Sequence, residues 1–234
     1  MQMKVLGIDT ATMMGSVGLI DDDRPVAQYS LSIEVTHSER LMETIDVLLR
    51  GVRIGLDGID GFAVSTGPGS FTGLRIGLAT VKGLCMATGK EAASVSTLEA
   101  LALNMPYCSY SICPVLDARK KEVYSALFRY DEDGTLKRLT DDMVISPELL
   151  VEMIKGPVVF SGDGVYTYRD IFKRRLGSNA HFAPVNAMFP SGLSVAGLGL
   201  SKLKKGETMD KTGVPAYVRR SEAEIKFETR GTLL

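Results

Sequence analysis

The sequence contains few cysteines and histidines, which limits the kinds of site it can build. Its three cysteines are odd in number and form no Cys-x-x-Cys pair. A disulfide framework or a structural zinc site is therefore not expected, and a reducing compartment is. The two histidines, His37 and His181, form neither a His-x-x-x-His pair nor a His-Glu-x-x-His motif. A metallopeptidase has no recognisable ligand set here, so we predict no metal site and no catalytic residue.

A strong excess of charge and long apolar runs are also absent. The formal net charge is −1, whereas a protein that binds RNA unaided usually has a stronger basic footprint. We interpret the short basic clusters as solvated faces. No apolar run of about 18 residues is present to span a membrane, and the apolar run near the N-terminus is too short for a signal peptide. We predict a cytoplasmic protein with no membrane contact. The basic clusters are at residues 119–121, 173–175, 202–205 and 219–220.

The first half of the chain predicts a meander of strands followed by helices. Short apolar runs separated by turns indicate three antiparallel strands. Apolar residues at helical spacing then indicate a helix, which Thr36 or Ser38 can cap. A strand, a long helix and a short helix follow. The strands are expected at residues 5–8, 16–20, 26–33 and 61–65, and the helices at about 38–50, 70–87 and 97–104.

The second half repeats this order of elements. Aligning residues 5–20 with residues 113–128 places Asp9 on Asp117. We therefore predict an α/β protein with two related lobes, residues 1–108 and 109–234. Such duplicated lobes resemble the actin, sugar-kinase and heat-shock ATPase superfamily. That resemblance implies a two-lobe actin-like (ASKHA, ribonuclease H-like) fold, with mixed sheets flanked by helices and a degenerate second lobe. The strands are expected at residues 114–117, 122–130 and 157–161, and the helices at 147–155, 168–176 and 191–204.

In the superfamily, two hairpin turns grip a nucleotide phosphate. In the first turn, Asp9 could hold a metal-bound water, and Thr10 and Gly15 could approach an anion through backbone N–H groups. These residues could equally form a tight turn whose side chains bond their own backbone. The second turn carries Asp117, but residues 118–122 contain no glycine to bring the backbone close to a phosphate. We predict that no cofactor is required and that ATP or ADP binds weakly at most.

A glycine-rich segment begins the long helix. Its sequence, Gly-Pro-Gly-Ser-Phe-Thr-Gly-Leu-Arg at residues 67–75, is neither a Walker loop nor a dinucleotide fingerprint. The helix contains Gly73, Gly77 and Gly83, each of which costs about 1 kcal/mol relative to alanine. Gly73 and Gly77 share a face on which another helix could pack closely. That helix could belong to the same lobe or to a second chain; we predict a docking surface.

Residues 65–77 closely resemble the signature of the TsaB (YeaZ) family. Residues 7–12, 37–41, 96–98 and 117–124 are similar too, and residues 162–164 and 215–220 fit weaker patterns. Membership implies a role in making threonylcarbamoyladenosine in tRNAs that read codons starting with A.

The resemblance also implies partners. A paralogue, TsaD, transfers the threonylcarbamoyl group from threonylcarbamoyl-AMP to N6 of adenosine and holds a metal through a His-x-x-x-His pair, whereas position 41 here is leucine. The chain is thus expected to be a non-catalytic subunit. It would dock TsaD and the ATPase TsaE, contact tRNA only through the complex, and dimerise in isolation. A weak ATPase or small-molecule kinase is the alternative. The expected contact residues are His37, Leu41, Phe71, Gly73, Leu74 and Gly77.

Overall fold

The computed structural model describes residues 2–32, 37–210 and 214, without the side chains of residues 37–39. The predicted strand end at Ile33, the predicted helix cap Thr36 and the motif at residues 215–220 lie outside this description. Ser38, the other predicted cap, lies inside helix α1, which begins at His37.

The first lobe is a five-stranded mixed sheet in the order β3-β2-β1-β4-β5. The first three strands form the expected antiparallel meander, and β1, β4 and β5 are parallel. Strand β5 was not predicted. The elements are β1 Lys4–Asp9, β2 Met14–Asp21, β3 Arg24–Ser32, α1 His37–Val52, β4 Gly61–Gly67, α2 Phe71–Thr88, β5 Glu91–Ser96 and α3 Thr97–Ala102.

The second lobe contains a seven-stranded sheet with the main order β10-β7-β6-β11-β12. Strand β8 pairs with β6, and β9 pairs with β8. The short strands β9, β10 and β12 were not predicted. The elements are β6 Ser111–Asp117, β7 Val123–Ser125, β8 Phe128–Tyr130, β9 Leu136–Arg138, β10 Met143–Ile145, α4 Pro147–Met153, β11 Val158–Ser161, α5 Gly164–Leu176, β12 Ala180–Phe182 and α6 Gly192–Lys204.

Two predicted elements of the second lobe are corrected. The single strand expected at residues 122–130 is broken into β7 and β8, because the backbone of Leu127 leaves the ladder. Its N–H donates to Oγ1 of Thr140 (2.9 Å), and its carbonyl accepts from Leu139 (2.7 Å). Helix α5 starts directly after Asp163, four residues earlier than expected.

Helix α6 lies late in the chain but packs on the sheet of the first lobe. Along β1, Leu6 and Ile8 face the cluster formed with α1 and α2, while Val5 faces the cluster formed with α6. Gly7 lies directly under α6, where a Cβ atom would come within 3.0 Å of the Ala196 backbone. The predicted division at residues 108/109 therefore separates the two sheets along the chain, but α6 returns to complete the first lobe.

Candidate functional site

Helix α2 is seated on the first hairpin turn of its own lobe. A Cβ atom at Gly73 would overlap the carbonyl oxygen of Thr10, and one at Gly77 would overlap the Thr10 hydroxyl. Thr10 Oγ1 donates to the carbonyl of Gly73 (2.7 Å), and the N–H of Ser70 donates to the carbonyl of Ala11 (2.7 Å). The glycines thus allow a backbone approach that no side chain permits.

This packing places most of the expected contact residues against their own lobe. Gly73 and Gly77 face Thr10, as the same-lobe alternative expects, and their contact with a second chain stays a prediction. Leu41 and Leu74 are only 6% and 2% exposed and lie in the lobe interior. Phe71 is half-buried under the guanidinium of Arg75, which lies 3.8 Å from the ring centroid.

His37 is the first residue of α1, and its side chain lies outside the described part of the structure. Its predicted role as a contact residue therefore stays a prediction.

The opposite side of α2 forms an exposed surface of small and flexible side chains. Ala79, Gly83 and Met86 follow one another at helical spacing, and a Cβ atom at Gly83 would meet nothing within 4 Å. Met86 is 88% exposed. Helix α1 packs beside α2 on the same side of the sheet and exposes Met42 and Val47. We call these five residues the outer α1–α2 face. The sequence does not predict this face, because the glycine pattern alone does not show which of the helical glycines the lobe covers.

The first hairpin turn is closed in on itself. Asp9 and Thr10 are fully buried. Oδ1 of Asp9 accepts from the N–H of Ala11 (3.1 Å), as in a tight turn. Gly15 lies in β2, opposite Leu31 of β3. The contact of Asp9, Thr10 and Gly15 with a nucleotide stays a prediction.

The second hairpin turn adopts an unusual backbone without glycine. Arg119, Lys120 and Lys121 have φ angles of 61°, 53° and 63°, in the left-handed region that favours glycine. Asp117 supports the turn: its Oδ1 accepts from the N–H of Arg119 (2.8 Å), and its Oδ2 lies 3.3 Å from the Arg119 guanidinium. The lack of glycine does not prevent a tight turn here, but it leaves three long basic side chains on it.

Asp163 joins Asp117 at the carboxyl edge of the second sheet, which the sequence did not reveal as a pair. Strands β6 and β11 are parallel neighbours, so their ends meet. Oδ1 of Asp163 accepts from the N–H of Asp117 (3.0 Å). Burial raises the pKa of Asp163 above 3.8, and the negative charge of Asp117 raises it further.

This raised pKa predicts a pH dependence of stability. The folded state binds the Asp163 proton more tightly than the unfolded state does, so protonation of Asp163 stabilises the fold. This contribution to the free energy of unfolding is fully present below pH 3.8 and is lost as the pH rises through the folded pKa. Asp163→Asn keeps an acceptor oxygen but cannot ionise. Urea unfolding between pH 3.5 and 7 should therefore show wild type losing stability relative to this variant as pH rises. A constant difference would contradict the assignment.

The described residues contain neither a group of metal ligands nor a helix that could span a membrane. Across residues 2–32, 37–210 and 214, no three His, Cys, Asp or Glu side chains are grouped as ligands for a metal ion. In the same residues, no helix combines the length and the apolar character needed to cross a bilayer. That the protein needs no metal stays a prediction.

Comparison with known proteins decides the family. A model of the family described as TsaD, tRNA N6-adenosine threonylcarbamoyltransferase, matches residues 32–227. The tRNA threonylcarbamoyladenosine biosynthesis protein TsaB of Bacillus subtilis (strain 168) is 31% identical over 229 residues, which cover 96% of this chain and 98% of that protein. The chain belongs to the TsaB (YeaZ) family. It also falls within the broader family that the transferase model describes.

Solved structures confirm the predicted actin-like fold of this TsaB-family chain. One is described as an uncharacterized protein with similarity to peptidase YEAZ from Pseudomonas aeruginosa. It superimposes with a TM-score of 0.75 at 26% identity, covering 93% of this chain and all of that one. Component A of (R)-2-hydroxyglutaryl-CoA dehydratase from Acidaminococcus fermentans, with a TM-score of 0.52 and 13% identity, covers 86% of this chain and 99% of its own and shows the fold alone.

Proposed function

We propose that this chain is a non-catalytic subunit of the complex that makes threonylcarbamoyladenosine in tRNA. Its TsaB-family membership connects it with that biosynthesis. In this role it docks the transferase TsaD through the outer α1–α2 face, TsaE joins the pair, and a homodimer forms in isolation. A tRNA substrate fits a cytoplasmic location.

Gly83 is the observation that carries the docking proposal. A glycine inside a helix costs about 1 kcal/mol relative to alanine. Gly73 and Gly77 recover that cost against Thr10, but a Cβ atom at Gly83 would meet no atom within 4 Å among the residues that the structure describes. Gly197 in α6 is equally open, but Gly83 lies one turn before Met86, which is 88% exposed. We therefore propose that a partner covers this part of α2.

The chemistry around Gly83 suits a helix as partner. Ala79 and Gly83 are four residues apart, so together they leave a shallow groove along α2 in which another helix can approach to about 8 Å. Met86 is exposed one turn after Gly83, and Met42 is exposed on the neighbouring helix α1. Methionine side chains adapt their shape to different surfaces. One such face can serve a second copy of this chain or a paralogue of the same fold, so the two should compete for it.

The two hairpin turns support a role without a required cofactor. The carboxylate of Asp117 is engaged by the guanidinium of Arg119, and Oδ1 of Asp9 by the backbone of its own turn. A nucleotide phosphate or its metal ion would have to displace the Arg119 guanidinium from the carboxylate of Asp117. We propose that ATP or ADP binds weakly, and that the chain alone turns over no substrate.

Gly83→Arg should abolish docking without unfolding the chain. The long cationic side chain would fill the groove, so we expect the dissociation constant for both the homodimer and the TsaD complex to rise at least 100-fold, on the order of 3 kcal/mol. Sedimentation velocity and titration with TsaD measure this effect. The chain alone should not lose thermal stability, because a Cβ atom there meets open space and arginine is a better helix former than glycine.

Gly197→Arg is the matched control. Gly197 lies inside α6, and a Cβ atom there would also meet nothing within 4 Å. This variant should assemble like wild type. Normal assembly of Gly83→Arg would show that the outer α1–α2 face is not the docking surface.

A further inference from the structure

The amino edge of the second sheet gathers segments that are distant in sequence. Ser111, Val158 and Ala180 begin three parallel strands and lie side by side in register. Strand β8 is antiparallel to β6, so it ends at this edge with Tyr130. Helix α5 follows β11 and runs back across the sheet, which brings its last turn to the same edge.

Aromatic rings stand at this edge with part of their surface in solvent. Tyr110 stacks on His181 with ring centroids 4.7 Å apart, and Tyr107 stacks on Tyr130 at 6.2 Å. Tyr107 is 82% exposed, and Tyr110 is also exposed. A ring that is held by one neighbour and open on its other side is a platform on which a nucleobase can stack.

Cations without ion-pair partners among the described residues lie in the segments that meet at this edge. Lys173, Arg174 and Arg175 are exposed in the last turn of α5, Arg129 lies within β8, and Lys155 precedes β11. Within the described residues none of the five takes part in an ion pair; Arg129 and Arg174 donate only to backbone carbonyls.

The charges of this edge are mainly positive. Acids also lie in these segments. In the turn after Tyr130, Asp131 is paired with Lys137 (3.4 Å) and Glu132 and Asp133 are exposed, and Asp170 is exposed one turn before Arg174. The helix dipole favours cations in the last turn of α5, but it accounts neither for Arg129 and Lys155 nor for the exposed rings.

We propose that this amino edge binds RNA, with bases stacked on Tyr107 and Tyr110 and phosphates held by Lys173, Arg174 and Arg175. Interleaved rings and cations suit unpaired nucleotides better than a duplex, whose bases are already stacked. The inference rests on the proposed function in one respect: the RNA is then the tRNA of the complex. The edge lies on the second lobe and the outer α1–α2 face on the first, so RNA and TsaD can be bound together. Direct RNA binding at this edge differs from the expectation that tRNA is contacted only through the complex.

The test uses the full chain and an unmodified transcript of a tRNA that reads a codon starting with A. Filter binding between 50 and 200 mM salt should show that Lys173→Glu/Arg174→Glu/Arg175→Glu weakens binding at least tenfold. It should also reduce the slope of log affinity against log salt by about 2, because each lost phosphate contact removes roughly 0.7 to 0.9. The control, Arg24→Glu/Arg53→Glu/Lys205→Glu, reverses as many charges elsewhere on the chain and should change affinity less than twofold at 150 mM salt.

Tyr107→Ala separates stacking from charge. Because the side chain is almost wholly exposed, the variant should fold normally and bind about tenfold more weakly with an unchanged salt slope. Equal losses in the two charge-reversal variants, or no binding by wild type at 50 mM salt, would overturn the proposal. Gly83→Arg distinguishes the two hypotheses, since it should lose TsaD and still bind the transcript, whereas the α5 triple variant should keep TsaD.

Discussion

Replacing Gly73 by alanine should lower the free energy of unfolding by roughly 3 kcal/mol, although alanine is the better helix former. The added methyl group would overlap the carbonyl oxygen of Thr10, so α2 must move away from the first hairpin turn. That movement also lengthens the hydrogen bond from Thr10 Oγ1 to the carbonyl of Gly73. Urea unfolding followed by circular dichroism measures the loss.

Gly83→Ala is the control for this effect because it makes the same change in the same helix. The new methyl group meets nothing within 4 Å, so the gain in helix propensity should stabilise the isolated chain by about 0.5–1 kcal/mol. Similar effects of the two substitutions would show that α2 does not rest on Thr10. A bulky residue at Gly77 should likewise destabilise the chain, since a Cβ atom there would meet the same threonine.

A fragment of residues 1–108 should not fold, although it contains every strand of the first sheet. Without α6, the side chains of Val5, Ile20 and Val95 would face water. Exposing a large aliphatic side chain costs about 1.5–3 kcal/mol, and a whole domain is stable by only about 5–15 kcal/mol. Three such side chains cost about 4.5–9 kcal/mol, which is comparable to the whole stability of a domain. Amide NMR dispersion of the fragment should be that of an unfolded chain.

Fusing residues 188–210 to this fragment through a flexible linker should restore the native fold. The added segment supplies α6 and also Met209, whose N–H donates to the carbonyl of Ala92 at the edge of β5 (2.6 Å). A fragment of residues 1–108 that folds alone would show that the packing of α6 on Gly7 is dispensable.

The elements that were predicted well depend on patterns among residues that are close together in the sequence. Short apolar runs separated by turns predict the meander of β1 to β3. Helix α2 begins after Ser70, whose hydroxyl caps it by accepting from the N–H of Gly73 (3.3 Å). The repeated order of elements was enough to predict two lobes of the actin-like type, which the comparisons confirm.

What was missed depends on contacts between distant residues. The break at Leu127 is set by Thr140, and the pairing of Asp117 with Asp163 by two strands 46 residues apart. Gly73 and Gly83 differ for the same reason. Both are helical glycines in the sequence, and only the three-dimensional neighbours show that Thr10 covers Gly73 while no described residue covers Gly83. A periodic pattern identifies the faces of a helix but not what lies against them.

The position of α6 has a consequence during synthesis of the chain. A ribosome releases the five strands of the first sheet long before residues 192–204, which cover one of its faces. Until then the nascent first lobe presents an apolar sheet surface, of the kind that chaperones bind and that leads to aggregation. The second lobe, whose β6 to β12 are contiguous in the chain, can complete its own sheet first. We therefore expect the order of folding on the ribosome to be the reverse of the order of the lobes in the sequence.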